Sequence, residues 1–509
     1  MAKRPNRATL PSHLRLPMAQ PAPMLSKSRY LSGLQCAKRL YLEVNRRDRA
    51  PVGTFGSRFD GGDAVVPLAR ARHPGGVLVD VEYGRHEEAM ALTARLLADP
   101  RVPAVFEAAF LFDGVRIRTD LLLRNHDGTW DLQEVRPSTS VKETHLPDLA
   151  VQVYVLSGCG VRVRRAGVLL LDRRYVRGEG GVDVSALFCL KDLTAGLEPH
   201  LAAVAENVAA FRDGLGAAEV PAVTAGGQCW HPRECPFTAE CVTPPGPFDV
   251  GQLPGSSKVV AALRERGIHD LRDVPPDTRL SPAQRRVVDC AVTGRAYVGP
   301  GLRAALHAVA FPLFFLDFET WSPAVPRYPG TGVYKPLPTQ WSLHTLQRDG
   351  TLTHAEFLHD ADTSPRLAFA ASLVRALGEA GSIVVYSKYE RTQIHSLAER
   401  APDHRARLLA LVPRLVDLLP IVTEHYYHPQ LRGSFSIKRV LPALVPDLGY
   451  GDLAIHDGGT AAEMYGRMVD AATPADERAA IREGLLRYCE RDTLAMVRVR
   501  EALLGLAGG

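Results

Sequence analysis

The sequence predicts an α/β protein of two mixed domains joined by a small helical linker. Three observations carry this prediction. The chain has 509 residues, more than one hydrophobic core ordinarily serves. Segments of β-type alternation recur in both halves, with helix-type segments between them. The prolines at 244, 245 and 247 mark a break between the halves. The expected parts are a basic disordered arm at 1–24, an α/β domain at 25–245, the linker at 246–308 and a second α/β domain at 309–509.

The arm and the first residues after it are one-sided in charge. Residues 1–42 hold Lys3, Arg4, Arg7, Arg15, Lys27, Arg29, Lys38 and Arg39 and no acidic residue. Five prolines between Met1 and Met24 oppose a helix there. Such an arm suits nucleic-acid phosphates or serves as a solubilising tail.

In the first domain, strands are expected at Phe106–Phe112, Val115–Leu123, Trp130–Val135 and Arg165–Leu171, with turns at Asp113-Gly114 and His126–Thr129. Helices are expected from His145 to Gly160 and from Ala202 to Phe211. Val250–Gly301 reads as short helices resembling half of a helix-hairpin-helix element. The second domain opens on the strand Pro312–Thr320, has another at Ser382–Ser387, and ends in a long helix, Pro474–Leu506.

Composition excludes some classes. Apolar content of 46% and charged content of 23% are those of a soluble globular protein. No apolar run approaches the roughly 18 residues of a membrane span, and the N-terminus has no hydrophobic signal core, which implies a cytoplasmic protein. Eight cysteines without a signal sequence argue against a disulfide framework.

The chemistry of the C-terminal half begins at FFLDFET. Asp317 and Glu319 are two apart on a strand and share one sheet face. Adjacent buried carboxylates repel and lose hydration, and a divalent cation is the usual remedy. On the last helix Tyr488 and Asp492 are four apart and share a face. D-x-E on a first strand with Y-x-x-x-D on a late helix resembles the DEDD exonucleases of the tyrosine subtype, on an RNase H-like fold. The resemblance implies two Mg²⁺ or Mn²⁺ ions, with Asp317, Glu319 and Asp492 as metal ligands and Tyr488 orienting the attacking water. Its middle acidic residue would be Glu390, where the family has an aromatic residue and Asp, with Asp417 as the competing candidate. Lys438 and Arg439, on a helix opening with Gly and Ser, are candidates for substrate phosphates or for a solvated face.

In the N-terminal half Glu107, Asp120, Glu134 and Arg136 fall on three successive expected strands. This layout resembles the PD-(D/E)xK restriction-endonuclease-like fold of RecB-type nucleases. There Asp and Glu, here Asp120 and Glu134, hold a metal and a lysine serves the phosphate or the water. Gln152 and Tyr154 resemble that family's Q-and-Y motif on the following helix, implying contact with nucleic acid. This sequence carries Arg136 where the lysine stands, and Lys142 is the nearby ammonium that could replace it.

Cys36 precedes these strands, and Cys229, Cys235 and Cys241 follow them at C-x5-C-x5-C. That order resembles the cysteine staple of some RecB-type and CRISPR-associated nucleases, implying a [4Fe–4S] cluster or, alternatively, tetrahedral Zn²⁺. The whole order of parts resembles an uncharacterised bacterial two-nuclease family joining a cysteine-stapled RecB-like domain to a DEDD-type 3'-5' exonuclease-like domain. The function expected is a metal-dependent nuclease, an exonuclease rather than an endonuclease, acting on DNA in preference to RNA. The alternatives are a non-catalytic nucleic-acid-binding scaffold and an iron–sulfur redox-sensing regulator.

Overall fold

The computed structural model describes residues 24–51, 62–255 and 257–508, so of the expected arm only Met24 lies within it. The chain is a mixed α/β protein with two mixed sheets and a long C-terminal helix, divided into compact units at 1–243 and 244–509. Among the described residues no helix is long and apolar enough to cross a membrane.

The first unit runs β1 (Leu25–Ser26), α1 (Lys27–Gln35), α2 (Ala37–Asn45), α3 (Gly62–Ala71), β2 (Val77–Leu78), α4 (His86–Ala98) and β3 (Ala104–Phe112). It continues with β4 (Val115–Arg124), β5 (Trp130–Arg136), α5 (His145–Gly158), β6 (Val163–Leu171), α6 (Val184–Leu187) and β7 (Phe188–Asp192). Helices α7 (Glu198–Gly216) and α8 (Thr238–Cys241) complete it.

Its sheet is ordered β2-β3-β4-β5-β6-β7, with β1 added against β4. Asp113 and Gly114 both have positive φ, the backbone that closes a tight hairpin between β3 and β4. β5 pairs with only Leu121–Arg124 of β4, while Val115 and Arg116 pair in parallel with β1. The sheet therefore forks beside Asp120. Leu149, Ala150, Val155 and Leu156 of α5 pack into the core over this sheet with Val105, Ile117, Leu132 and Val168.

The second unit begins with α9 (Ser257–Glu265), α10 (Pro282–Thr293), β8 (Tyr297–Val298) and α11 (Leu302–His307). Next come β9 (Leu313–Trp321), β10 (Leu337–Leu346), β11 (Leu352–Leu358), α12 (Arg366–Leu377), β12 (Ser382–Val385) and α13 (Tyr389–Arg400). Then follow α14 (Arg405–Leu411), β13 (Leu415–Asp417), α15 (Leu418–His425), β14 (Tyr426–Tyr427), α16 (Ile437–Leu444), α17 (Gly458–Met468) and α18 (Ala475–Gly508).

The sheet order is β11-β10-β9-β12-β13. β9 pairs antiparallel with β10 and parallel with β12. Its even residues Phe314, Leu316 and Phe318 pack with Phe369, Ala370 and Leu373 of α12. Its odd residues Leu313 and Phe315 pack with Ala495, Met496 and Val499 of α18. The segment expected as a helical linker joins this second core through Val250, Leu263, Leu271, Val287 and Leu302.

Candidate functional site

The odd face of β9 continues past Phe315 into Asp317 and Glu319, so both carboxylates emerge beneath α18. Asp492, buried on α18, meets them there. Ligand oxygens of Asp317, Glu319 and Asp492 lie within 4.8 Å of one another, the set of this kind found among the described residues. Glu390 sits in the first turn of α13, directly after β12, and is 4% exposed. Its charge is felt at both Asp317 and Glu319, and its Oε2 is buried without a hydrogen-bond partner. Asp417, the competing candidate, spends an oxygen capping α15 through the Leu419 N–H at 2.9 Å.

The electrostatics follow from crowding. Burial, then the charges of Asp492, Glu319 and Glu390, push Asp317 well above the usual carboxylate range. Burial and then Asp492 raise Glu319 to about 8. Burial, with a contribution from Asp417, raises Glu390 to about 7. Asp492 is raised by burial, against a hydrogen bond from Tyr450 and the charge of Lys438.

Aromatic hydroxyls surround this group. Tyr450 donates to Asp492 Oδ1 at 2.6 Å. Tyr488, one turn before Asp492, is kept a phenol by burial and then by the neighbouring carboxylates. Lys438 Nζ donates to the Tyr488 hydroxyl at 2.9 Å and to the His456 carbonyl at 2.7 Å. Lys438 is thus turned inward, whereas Arg439, the next residue round the helix, is exposed. Cys489 Sγ lies 3.6 Å from Asp317 Oδ2. Tyr450 and Cys489 carry no signal in the sequence: one lies in a loop, and the other reads as a buried thiol.

The first unit brings together a second acidic group. Leu121 pairs with Gln133 and Leu122 with Leu132, and one further step of this register sets Asp120 opposite Glu134. Asp120 Oδ2 accepts the Val135 N–H at 2.7 Å. Glu107 falls in the gap of the β3–β4 ladder between Phe106 and Ala108, facing Asp120, with a φ of 55°. A non-glycine residue in that region costs about 1 kcal/mol or more. Its carboxylate pairs with Arg70 at 2.7 Å.

Arg136 binds Glu134 Oε1 at 2.7 Å, pairs with Asp148 on α5, and stands 4.0 Å from Asp120. Asp148 and Gln152 are four apart on α5 and share the face turned to the sheet. Gln152 Nε2 donates to Glu134 Oε2 at 2.9 Å and to Asp148 Oδ1 at 3.1 Å. Tyr154, two residues on, lies about 200° round the helix. It donates to Asp113 at 2.9 Å and contacts the Phe112 ring, away from the carboxylates.

The ammonium in this cluster comes from Lys27. It pairs with Glu134 Oε1 and lies 3.6 Å from Asp148 Oδ1. Lys142, the expected substitute, is exposed on the loop before α5. Burial would raise Glu134, but Lys27 and Arg136 outweigh it and hold the group at about 2. Burial and then the Glu134 charge raise Asp120 to about 7.

Cys36, Cys229, Cys235 and Cys241 line one small pocket with Leu42 and Phe237. Cys36 stands between α1 and α2, and the Gln35 side chain donates to the Gln228 and Arg233 carbonyls at 2.6 and 2.7 Å. His231, close to these cysteines in sequence, pairs with Glu143 at the surface at 2.6 Å.

Comparison with known proteins adds little to this geometry. A family described as a domain of unknown function, DUF2779, matches residues 314–436, a span that includes Asp317, Glu319 and Glu390. A solved structure described as "Crystal structure of SSO0001" is similar at 12% identity and a TM-score of 0.22, covering 44% of this chain and 87% of that one. No curated protein matches the chain.

Proposed function

We propose that the chain is a metal-dependent nuclease whose second unit is a DEDD-type, RNase H-like hydrolytic centre. The observation that carries this reading is the convergence of Asp317, Glu319 and Asp492 within 4.8 Å, with the buried Glu390 beside them. Four neighbouring carboxylates, one with an unpartnered buried oxygen, fit divalent cations in donor type and charge. Mg²⁺ or Mn²⁺ held by Asp317, Glu319, Asp492 and Glu390 would polarise a phosphodiester and make a bound water acidic.

The chain's own residues do the rest. Tyr450 donates to Asp492 Oδ1 and fixes the orientation of that carboxylate. Tyr488 keeps its proton and donates it to Asp492, and with Lys438 donating to its oxygen the O–H can turn from that carboxylate to orient a water. Lys438 adds a positive charge beside an otherwise anionic site and favours an approaching phosphate.

The first unit is read as a RecB-like PD-(D/E)xK domain that binds the nucleic acid. Its four cysteines, on an apolar floor, fit a thiolate-bound metal group. Four thiolates suit a [4Fe–4S] cluster or, alternatively, tetrahedral zinc.

The test is cleavage of end-labelled single-stranded DNA and RNA with Mn²⁺, for wild type and the Asp317→Asn/Asp492→Asn variant. A loss of at least 1000-fold in release of terminal nucleotides is expected. Equal rates for the two proteins, or an inert wild type, would remove this reading. Iron content and visible absorption of anaerobically purified protein, lost in Cys235→Ser, test the cluster.

A further inference from the structure

In the first unit the strand that should carry a lysine carries Arg136, and the structure brings an ammonium to the same carboxylate from elsewhere. We propose that Lys27 is the catalytic lysine of a second hydrolytic centre, acting with Asp120 and Glu134 on nucleic-acid phosphodiesters. The proposal rests on the nuclease reading above and extends it to the first unit.

Four observations lead there. Lys27 reaches Glu134 across 107 residues of sequence and takes the same oxygen that Arg136 binds. Its backbone is held firmly: Leu25 is fully buried, its N–H donates to Gly114 at 2.9 Å, and Ser26 caps α1 through the Arg29 N–H. Lys27 is therefore the first residue of a helix that starts from the fork in the sheet, beside Asp120. Its side chain is 21% exposed and that of Glu134 2%, so part of the lysine stem reaches the surface while Glu134 does not.

Arg136 is placed differently. Its guanidinium is shared among Glu134, Asp148 and the Val135 carbonyl, and a planar fork so engaged holds α5 against β5. An ammonium on a four-carbon stem keeps rotatable donors, and Lys27 can turn from Glu134 to a phosphate oxygen without unmaking a bidentate pair.

In the proposed step a water oxygen forms a bond to phosphorus and the ester P–O bond opposite it breaks. The water's proton passes to solvent, and the leaving oxygen takes a proton back. Lys27 stays protonated throughout and stabilises the extra negative charge on the phosphoryl oxygens. Asp120 and Glu134 would be oxygen donors for a divalent ion here once Lys27 has turned from Glu134.

The test uses the full chain carrying Asp317→Asn and Asp492→Asn, which silences the second unit. This protein should still cut linear or circular DNA with Mn²⁺. Adding Lys27→Met should lower that rate at least 100-fold while Mn²⁺ binding to the first unit, followed by calorimetry, changes less than threefold. Adding Arg136→Lys to the Lys27→Met chain should restore at least 10-fold, because it returns an ammonium to the strand. Cleavage that survives Lys27→Met overturns the proposal. So does a silenced chain that cuts nothing while wild type cuts, and this result leaves the second unit's activity standing. An inert wild type removes both readings.

Discussion

The two acidic clusters solve the same electrostatic problem in opposite ways. In the second unit Asp317, Glu319, Glu390 and Asp492 crowd together with one nearby cation, Lys438, which is bonded to Tyr488 rather than to a carboxylate. In the first, Glu134 and Asp148 are each paired to both Lys27 and Arg136. The uncompensated group rises in pKa, whereas Glu134 falls to about 2. One cluster thus leaves its carboxylates without a paired cation among the described residues, and the other holds two cations in direct contact with its own.

Removing one charge from each cluster should separate them furthest. Glu134→Gln leaves Lys27 and Arg136 short of a buried counter-charge and should cost about 3 kcal/mol, since Asp148 remains. Glu390→Gln relieves repulsion and should leave the metal-free protein unchanged or up to about 1 kcal/mol more stable. Urea unfolding in the presence of a chelator reads both. Equal losses would mean the two clusters are alike.

pH divides the clusters by sign. A carboxylate with a raised folded pKa binds protons that the unfolded chain has already lost. Its contribution to stability therefore falls as pH rises, by up to about 1.4 kcal/mol per unit for each group. For Glu319 and Glu390 the window runs from the ordinary value near 4 to about 8 and about 7. Glu134 has the opposite sign: its stabilisation is full above the ordinary carboxylate value and is lost only as pH falls toward about 2. Melting of metal-free protein should thus be lower at pH 8 than at pH 5.5, with Asp120 a matching contributor from the first unit. Mn²⁺ should raise melting more at pH 8 than at pH 5.5. A metal effect independent of pH would contradict the charge argument.

The hydroxyls beside the second cluster contribute less. Tyr488→Phe should reduce kcat for terminal-nucleotide release about 10- to 100-fold with little change in KM, a loss of about 1.4–2.7 kcal/mol in the transition state. A change confined to KM would make Tyr488 a substrate contact instead.

Some of this was legible in the residues. FFLDFET shows its period openly, and the alternation that buries Phe314 and Phe315 on opposite faces also sets Asp317 beside Glu319. Tyr488 and Asp492 are visible as a helical pair. β10 was not, although it pairs with β9 along nearly its whole length. The cause is its polar content: Gln340, Ser342 and His344 are buried against α18. They bond the Leu485 carbonyl and the Thr493 hydroxyl at 2.8–2.9 Å, so satisfied polar groups replace the expected apolar stripe. The role of Lys27 was equally hidden, because nothing local to an N-terminal basic stretch indicates a carboxylate more than 100 residues away.

The position of α1 also has a consequence for synthesis. Lys27 leaves the ribosome well before the partners that seat its helix: α7 from residue 198 onward, and the Gln228 and Arg233 carbonyls that hold Gln35. Contacts of such long range form after local ones. A nascent chain that has already made Asp120, Glu134 and Gln152 therefore lacks a seated lysine until nearly the whole unit has emerged. The order of translation itself delays the assembly of this cluster.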